Sequence, residues 1–266
     1  TIMGQQTEEF PPEQTIENEQ ILTLEGKDLK DIIIDTSYAA SKNDLKPVLQ
    51  GVLFQIEKEG LVSVATDGHR LVKLEKTKIN SQNYKGNVVV PTKFLSLLSN
   101  SMNDDDKISM LIGDNHIQIK KENIVISSRI IKDPYPDYEG VIPKNNTNML
   151  IINKNNFSEA IKRVAIFSNR SSQQISLNLS KNTLTISTED PENITTGKEI
   201  LECNYDGESM IIGYNATYLR EVLQHQKCED IKLMLETPLN AGLFIPMDQK
   251  ENEKKTTLLM PIRLND

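Results

Sequence analysis

The chain has 266 residues, 37% hydrophobic and 26% charged, with a net charge of −8 at neutral pH. At roughly 100–200 residues per domain this length predicts one large domain or two ordinary ones, and the composition excludes a disordered tail, a collagen-like chain or a low-complexity chain. No run approaches the roughly 18 apolar residues of a membrane helix, residues 1–20 lack the apolar core of a secretory signal, and Cys203 and Cys228 alone build neither a disulfide framework nor a zinc site, so a cytoplasmic protein without cofactor or metal is the expectation.

Residues 1–20, polar and acidic with Pro11-Pro12, read as a lead-in or the tail of something removed. Over 26–40, Leu29, Ile32, Ile33, Thr36 and Ala40 recur at helical spacing and give one buried stripe. Runs 51–56 and 61–66 read as strands around a turn at 57–60. Asp67-Gly68 signals a second tight turn, after which Leu71-Val72-Lys73-Leu74 resumes a strand. Val88-Val89-Val90 is stopped by Pro91, which starts a helix with Phe94, Leu95 and Leu98 on one face. Strands follow at 108–111, 117–119 and 124–127, and residues 143–148 have linker composition.

The second half repeats that order. A helix from 156 carries Phe157, Ala160, Ile161, Val164 and Ala165 inward, then strands come at 175–179, 184–186 and 210–212. A helix from Asn215 carries Tyr218, Leu219, Val222 and Leu223, and strands close the unit at 231–235, 243–245 and 257–260. Phe94 and Tyr218 lie 124 residues apart, Ile108 and Ile231 123, Leu29 and Phe157 128. The expected class is therefore α+β: two tandem copies of one unit, each with two helices packed on mainly antiparallel sheet. The copies are assigned to 21–145 and 146–266.

There is no phosphate loop, no dinucleotide fingerprint and no zinc-hydrolase motif. His116 and His225 are expected at the surface, and Cys203, in a predicted strand, and Cys228, near a helix end, as small buried hydrophobes. The acidic balance weakens a nucleic-acid role unless the lysines and arginines share one surface. Asp67-Gly68-His69 looks like an acid beside a base, yet the turn puts His69 and Arg70 at a hairpin tip, facing solvent or a partner. An incidental turn and a binding loop on a rigid sheet both remain open.

Five segments in order, Ala65-Thr66-Asp67-Gly68-His69-Arg70-Leu71, Val88-Val89-Val90-Pro91, Tyr135-Pro136-Asp137-Tyr138, Asn215-Ala216-Thr217-Tyr218-Leu219 and Met260-Pro261-Ile262-Arg263-Leu264, make the chain resemble the bacterial replicative sliding clamps, the beta subunits of DNA polymerase III. The likeness runs from about Glu9 to Leu264. It implies the middle and last of the three domains of a clamp, with residues 1–14 as the final strand of the first. Two such subunits close head to tail around duplex DNA, joining the first domain of one to the last of the other, so this chain by itself is expected to be a monomer.

The resemblance also implies a non-catalytic processivity factor in a nucleotidyltransferase holoenzyme. Its partners would be double-stranded DNA, the polymerase III catalytic subunit, the clamp loader, and other polymerases and repair proteins that carry clamp-binding peptides. The peptide pocket would be formed by Leu49, Thr66, Gly68, His69, Arg70, Leu71, Pro136 and Val141 of the middle domain, and by Asn215, Tyr218, Leu239, Ala241, Leu258, Leu259, Met260, Pro261, Ile262, Arg263 and Leu264 of the last. Such an apolar trough with a few polar groups captures leucine or phenylalanine anchors that follow a glutamine. Gly140 stands where some members have arginine, and Asn265-Asp266 extend past the family's usual ending. DNA-facing positions would be Lys27, Lys30, Asn43, Lys93, Lys162, Arg163, Arg220 and Lys227, contacting phosphates without reading sequence. The alternatives are a two-domain interaction scaffold without a DNA role and a hydrolase using Asp67 and His69. Met260→Ala, or deletion of 258–266, is expected to abolish peptide capture with the fold mostly intact.

Overall fold

The structure is a computed structural model that describes residues 3–4, 16–58, 60–79, 85–121 and 124–264. Most of the lead-in over 1–20 and the extension Asn265-Asp266 lie outside the described residues. The first copy runs β1 (Gln20–Glu25), α1 (Gly26–Thr36), β2 (Gly51–Glu57), β3 (Gly60–Thr66), β4 (Arg70–Thr77), β5 (Gly86–Pro91), α2 (Thr92–Ser101), β6 (Lys107–Ile112), β7 (His116–Lys121) and β8 (Ile124–Arg129). The second repeats it as β9 (Asn148–Asn153), α3 (Lys154–Val164), β10 (Gln174–Ser180), β11 (Thr183–Asp190), β12 (Thr195–Glu202), the two-residue β13 (Asn204–Tyr205), β14 (Met210–Asn215), α4 (Ala216–Gln224), β15 (Asp230–Leu235), β16 (Gly242–Pro246) and β17 (Glu253–Leu259). The α+β class and the tandem repeat of two helices with antiparallel strands are both present.

Some boundaries differ from the sequence reading. No bounds were expected for β1, β9, β12 or β13, although a strand was expected at Cys203, and β9 begins at Asn148, inside the run read as linker. The third helix opens at Lys154 because the Asn153 side chain caps it, accepting from the Asn156 amide at 3.1 Å. Asn215 caps α4 in the same way, accepting from Tyr218 N at 3.1 Å. Cys203 lies between β12 and β13 rather than within a strand, and both cysteines are half-buried.

Two four-stranded sheets, β1-β6-β7-β8 and β12-β11-β10-β14, flank one nine-stranded sheet ordered β13-β9-β15-β16-β17-β4-β3-β2-β5. The large sheet crosses from one copy to the other where β17 pairs antiparallel with β4, from Glu253 opposite Lys76 to Leu259 opposite Arg70. Each copy has its own core. Leu29, Ile32 and Ile33 of α1 and Phe94, Leu95 and Leu98 of α2 pack with Val52, Phe54, Val72 and Leu74 in the first. Phe157, Ile161, Leu219 and Leu223 pack with Leu233, Phe244 and Leu259 in the second. Truncating one of these fully buried leucines to alanine costs about 2–5 kcal/mol.

Side chains alternate faces along a strand, so the seam strands also cover the opposite face of the large sheet. There Leu53, Val64, Leu71, Val89, Tyr138, Ala241, Leu243 and Leu258 form a third core shared by both copies. The segment between β8 and β9 crosses this face as a strap. It starts beside β5, where the Ile131 amide donates to Val89 O at 3.0 Å. The Tyr138 hydroxyl then bonds Gln55 of β2, Lys73 of β4 pairs with Glu139 at 2.6 Å, and Asn146 Nδ2 donates at 2.9 Å to the carbonyls of Met234 and Ala241.

Candidate functional site

The β3–β4 hairpin is held by its own side chains. Asp67 Oδ1 accepts from the amides of His69 and Arg70 at 2.8 and 3.0 Å, and Thr66 Oγ1 donates to Arg70 O at 2.6 Å. Gly68 supplies the left-handed residue, at φ 93°, that the turn requires. His69 is exposed and stacks on Tyr218 of α4, ring centroids 5.7 Å apart. Arg70 does not share that exposure, which corrects the expectation that both are presented. It is 5% exposed, because alternation sends it to the helix face with Val72 and Leu74. Its guanidinium bonds Asp67 Oδ2 at 3.1 Å, Tyr38 O at 2.8 Å and the Glu221 carboxylate. The Asp67 carboxylate is thus committed to two amides and an arginine, which leaves it ill placed to serve His69 as a catalytic base.

The pocket positions divide by face. Leu71, Ala241 and Leu258 form an apolar floor in the third core, and Thr66 is buried at the hairpin. Val141, Leu239 and Met260 keep 56%, 62% and 41% of their surface exposed, and Pro136 is also exposed. Leu259 points the other way, into the second core, so it supports the site from behind rather than lining it. Leu49 is buried, and its neighbour Val48 is the residue that packs on the third core. The Asn215 side chain is engaged in its cap and donates to Ser172 O at 3.1 Å.

After β17 the chain stays attached to both copies. Met260 N donates to His69 O at 2.8 Å and Ile262 N to Gly213 O at 2.9 Å. A Cβ on Gly213 would meet Ile262 O at 2.6 Å, so this close approach needs glycine. Pro261, Ile262 and Leu264 are half-buried and Arg263 is exposed. The expected harmlessness of deleting 258–266 is therefore corrected: Leu258 and Leu259 are core residues paired with β4 and β16. Met260→Ala remains the mild substitution.

The helix face of the seam carries residues that the sequence reading missed. Lys255 of β17 pairs with Asp35 of α1 at 3.0 Å and donates to His225 O, and Asp35 is only 1% exposed. Lys227 bridges Asp31 and Asp35 at 2.7 and 3.3 Å, and Lys76 of β4 reaches Asp28 at 2.8 Å and Glu253 at 3.1 Å. His225, expected in solvent, stacks on Tyr38 with centroids 3.8 Å apart and planes 7° from parallel. Burial lowers the pKa of Lys255 despite Asp35, and lowers that of His225, with Lys255's charge acting in the same direction. For Asp31, burial acts upward, but the hydrogen bond and charge of Lys227 outweigh it and hold the carboxyl below its ordinary value. For Lys76, burial acts downward and is outweighed by Asp28 and Glu253, which raise it. Asp35 and Lys255 are 220 residues apart in sequence, so no local pattern announces the pair.

The expected DNA-facing positions differ in how much charge they leave free. Lys27, Lys93 and Asn43 are exposed. Lys30 pairs with Asp104 at 2.8 Å, Lys162 with Glu159 at 3.6 Å, and Arg163 with Glu199. Arg220 is half-buried, and Lys227 is exposed yet committed to the seam aspartates. His116, at the start of β7, is half-buried.

Models of the DNA polymerase III beta subunit match residues 23–137, for its central domain, and 139–263, for its C-terminal domain. The beta sliding clamp of Pseudomonas putida is 30% identical over 242 residues, which are 91% of this chain and 65% of that protein. The beta sliding clamp of Proteus mirabilis is 31% identical over 260 residues, 96% of this chain and 69% of that protein. A crystal structure of the DNA polymerase sliding clamp from Pseudomonas aeruginosa with ligand superposes with a TM-score of 0.91 at 28% identity, covering 98% of this chain and 70% of that one. The chain thus spans about two thirds of the length of the curated relatives it matches.

Proposed function

The chain belongs to the family of DNA polymerase III beta subunits, and from that membership we propose that it serves as the middle and last domains, 21–145 and 146–266, of a sliding clamp. In this reading it is a non-catalytic processivity factor in the bacterial cytoplasm. The whole protein encircles duplex DNA and recruits the polymerase III catalytic subunit, the clamp loader, and other polymerases and repair proteins through a peptide pocket between the two domains. The relatives lend no support to a scaffold without a DNA role.

The observation that carries the pocket is the third core. It is an apolar floor contributed by both domains, and the exposed Val141, Leu239 and Met260 lie two or three residues in sequence from its members Tyr138, Ala241 and Leu258. A glutamine–leucine–phenylalanine peptide buries its apolar anchors on such a floor. Titration calorimetry on the wild type and on Met260→Ala tests it: the wild type binds and the variant loses most of its affinity, whereas equal affinities would sink the assignment.

Ring closure is supported by the repeat itself. β17 ends the second copy as β8 ends the first, and β12 stands in the second copy where β4 stands in the first. β17 and β4 meet at the seam, while their counterparts β8 and β12 end their sheets among the described residues. Exposed Ile124 and Val125 lie on β8, Ile200 lies on β12, and Ile166 and Phe167 follow α3. We read β12 as the edge offered to a partner subunit and β8 as the edge offered to a preceding domain. The two-domain chain alone is then a monomer at micromolar concentration, and light scattering that shows a stable dimer would overturn this part. Because four of the seven cations expected to face DNA, Lys30, Lys162, Arg163 and Lys227, are paired with carboxylates, attraction to phosphates is weak and non-specific, which suits a tether that slides.

A further inference from the structure

We propose that Arg70 positions the His69–Tyr218 wall of the peptide pocket, and that Tyr38 and Glu221 are the residues that set it. This deepens the pocket reading and rests on it. Five side chains make one continuous stack through the seam. His225 lies on Tyr38 at 3.8 Å, the Arg70 guanidinium sits 5.2 Å from the Tyr38 ring and 4.7 Å from the Tyr218 ring, and Tyr218 lies 5.7 Å from His69. The stack runs from a half-buried histidine beside the Lys255–Asp35 pair to an exposed one at the hairpin tip. It also crosses between domains: His69, Arg70 and Tyr38 belong to the first, Tyr218, Glu221 and His225 to the second.

The chemistry of Arg70 fits holding better than binding. A guanidinium this buried must be compensated within the protein, and Asp67, Glu221 and the Tyr38 carbonyl supply that compensation. Its planar fork stacks on aromatic faces while its edges donate hydrogen bonds, which a lysine ammonium cannot do at once. Tyr218 is consequently pressed between Arg70 and His69. These side chains and Glu221 also line one cleft of about 580 Å³ at the mouth of the seam. Glu221 fixes the guanidinium from α4, and its carbonyl lies 2.8 Å from His225 Nδ1, so the middle of the stack and its His225 end are tied to one helix turn. The angle at which the domains meet and the orientation of the His69–Tyr218 wall are thus a single adjustment.

The test uses the whole protein and a fluorescein-labelled glutamine–leucine–phenylalanine peptide read by anisotropy, with the His69 ring protons followed by NMR. Glu221→Gln removes one carboxylate from the guanidinium, Tyr38→Leu removes the ring beneath it, and Tyr38→Phe keeps that ring. The expected result is affinity about five- to tenfold weaker for Glu221→Gln and Tyr38→Leu, with His69 resonances shifted as the Tyr218 ring moves away. Tyr38→Phe is expected to retain both readouts, a rescue that general loss of stability would not produce. If Tyr38→Leu fails to fold, Glu221→Gln at its half-exposed helix position decides. Folded variants with wild-type affinity and unshifted His69 resonances overturn the proposal and leave the pocket standing. A wild type that does not bind, or Met260→Ala that binds as well as the wild type, removes the pocket and this proposal with it.

Discussion

On the strap side of the β4–β17 seam, Leu71 faces Leu258 over a floor completed by Ala241 and Leu243. On the helix side the same two strands set Lys76 opposite Glu253 and send Lys255 to Asp35. One ladder therefore has a non-directional apolar face and a directional ionic one. Apolar contact tolerates a change of occupant, as the proposed site for several peptides must. Buried ion pairs and a stacked arginine tolerate little displacement, so they suit the face that fixes how the domains meet. The division of labour is not a division of elements, since every residue concerned lies on two adjacent strands or packs on them.

The sharpest way to break this comparison is to remove one partner of the buried pair. Lys255→Met leaves Asp35 with Lys227 alone and is expected to cost about 3 kcal/mol in urea unfolding, whereas Lys255→Met with Asp35→Leu recovers most of that loss. If the single and the double variant are equally destabilised, the pair is not what locks the seam. On the apolar face Met260→Ala has the converse signature: about 2 kcal/mol lost from peptide binding and stability unchanged within about 0.5 kcal/mol.

Acid provides a graded version of the same contrast. His225 titrates below its ordinary 6.5 because it is buried, so the unfolded chain binds more protons and stability falls as pH drops from neutral through that value. The groups facing it are Tyr38, Glu221, Lys255 and Asp35. Asp31, held below 3.8 by Lys227, adds a second loss as pH falls further through its folded value. Urea midpoints measured across this range, with His225→Gln expected to flatten the upper step, check the assignment. The smallest effect expected is that of Ile200→Lys on the β12 edge, within about 0.5 kcal/mol for the two-domain chain, because this side chain is 62% exposed.

Much of the architecture was legible because it is local. Leu29, Ile32 and Ile33 at helical spacing, Pro91 ahead of Phe94-Leu95, and Asp67-Gly68 between alternating runs each name an element from its neighbours in sequence. β12 was not legible: Thr-Thr-Gly-Lys-Glu-Ile-Leu-Glu has one face half-buried and the other exposed, so its alternation carries little apolar contrast. β1 and β9 were hidden because each runs into its helix with no turn signal between. At the site, the motifs around His69, Tyr218 and Met260 gave the neighbourhood but not the facing. Arg70 looked presented because charge usually is, and only the pairing of β4 with β17 shows a buried guanidinium with partners on three sides. The Lys255–Asp35 pair is a product of the tertiary fold alone.

The strands of the large sheet continue from one domain into the next with no hinge between them. Neighbouring strands are rotated by about −20 to −25° on average, and the β4–β17 step is one more rung of that series. The twist between the halves is therefore inherited from backbone geometry, and the ion pairs of the helix face hold it. In the proposed ring, curvature would then follow in part from the twist of sheets that run on from one domain to the next.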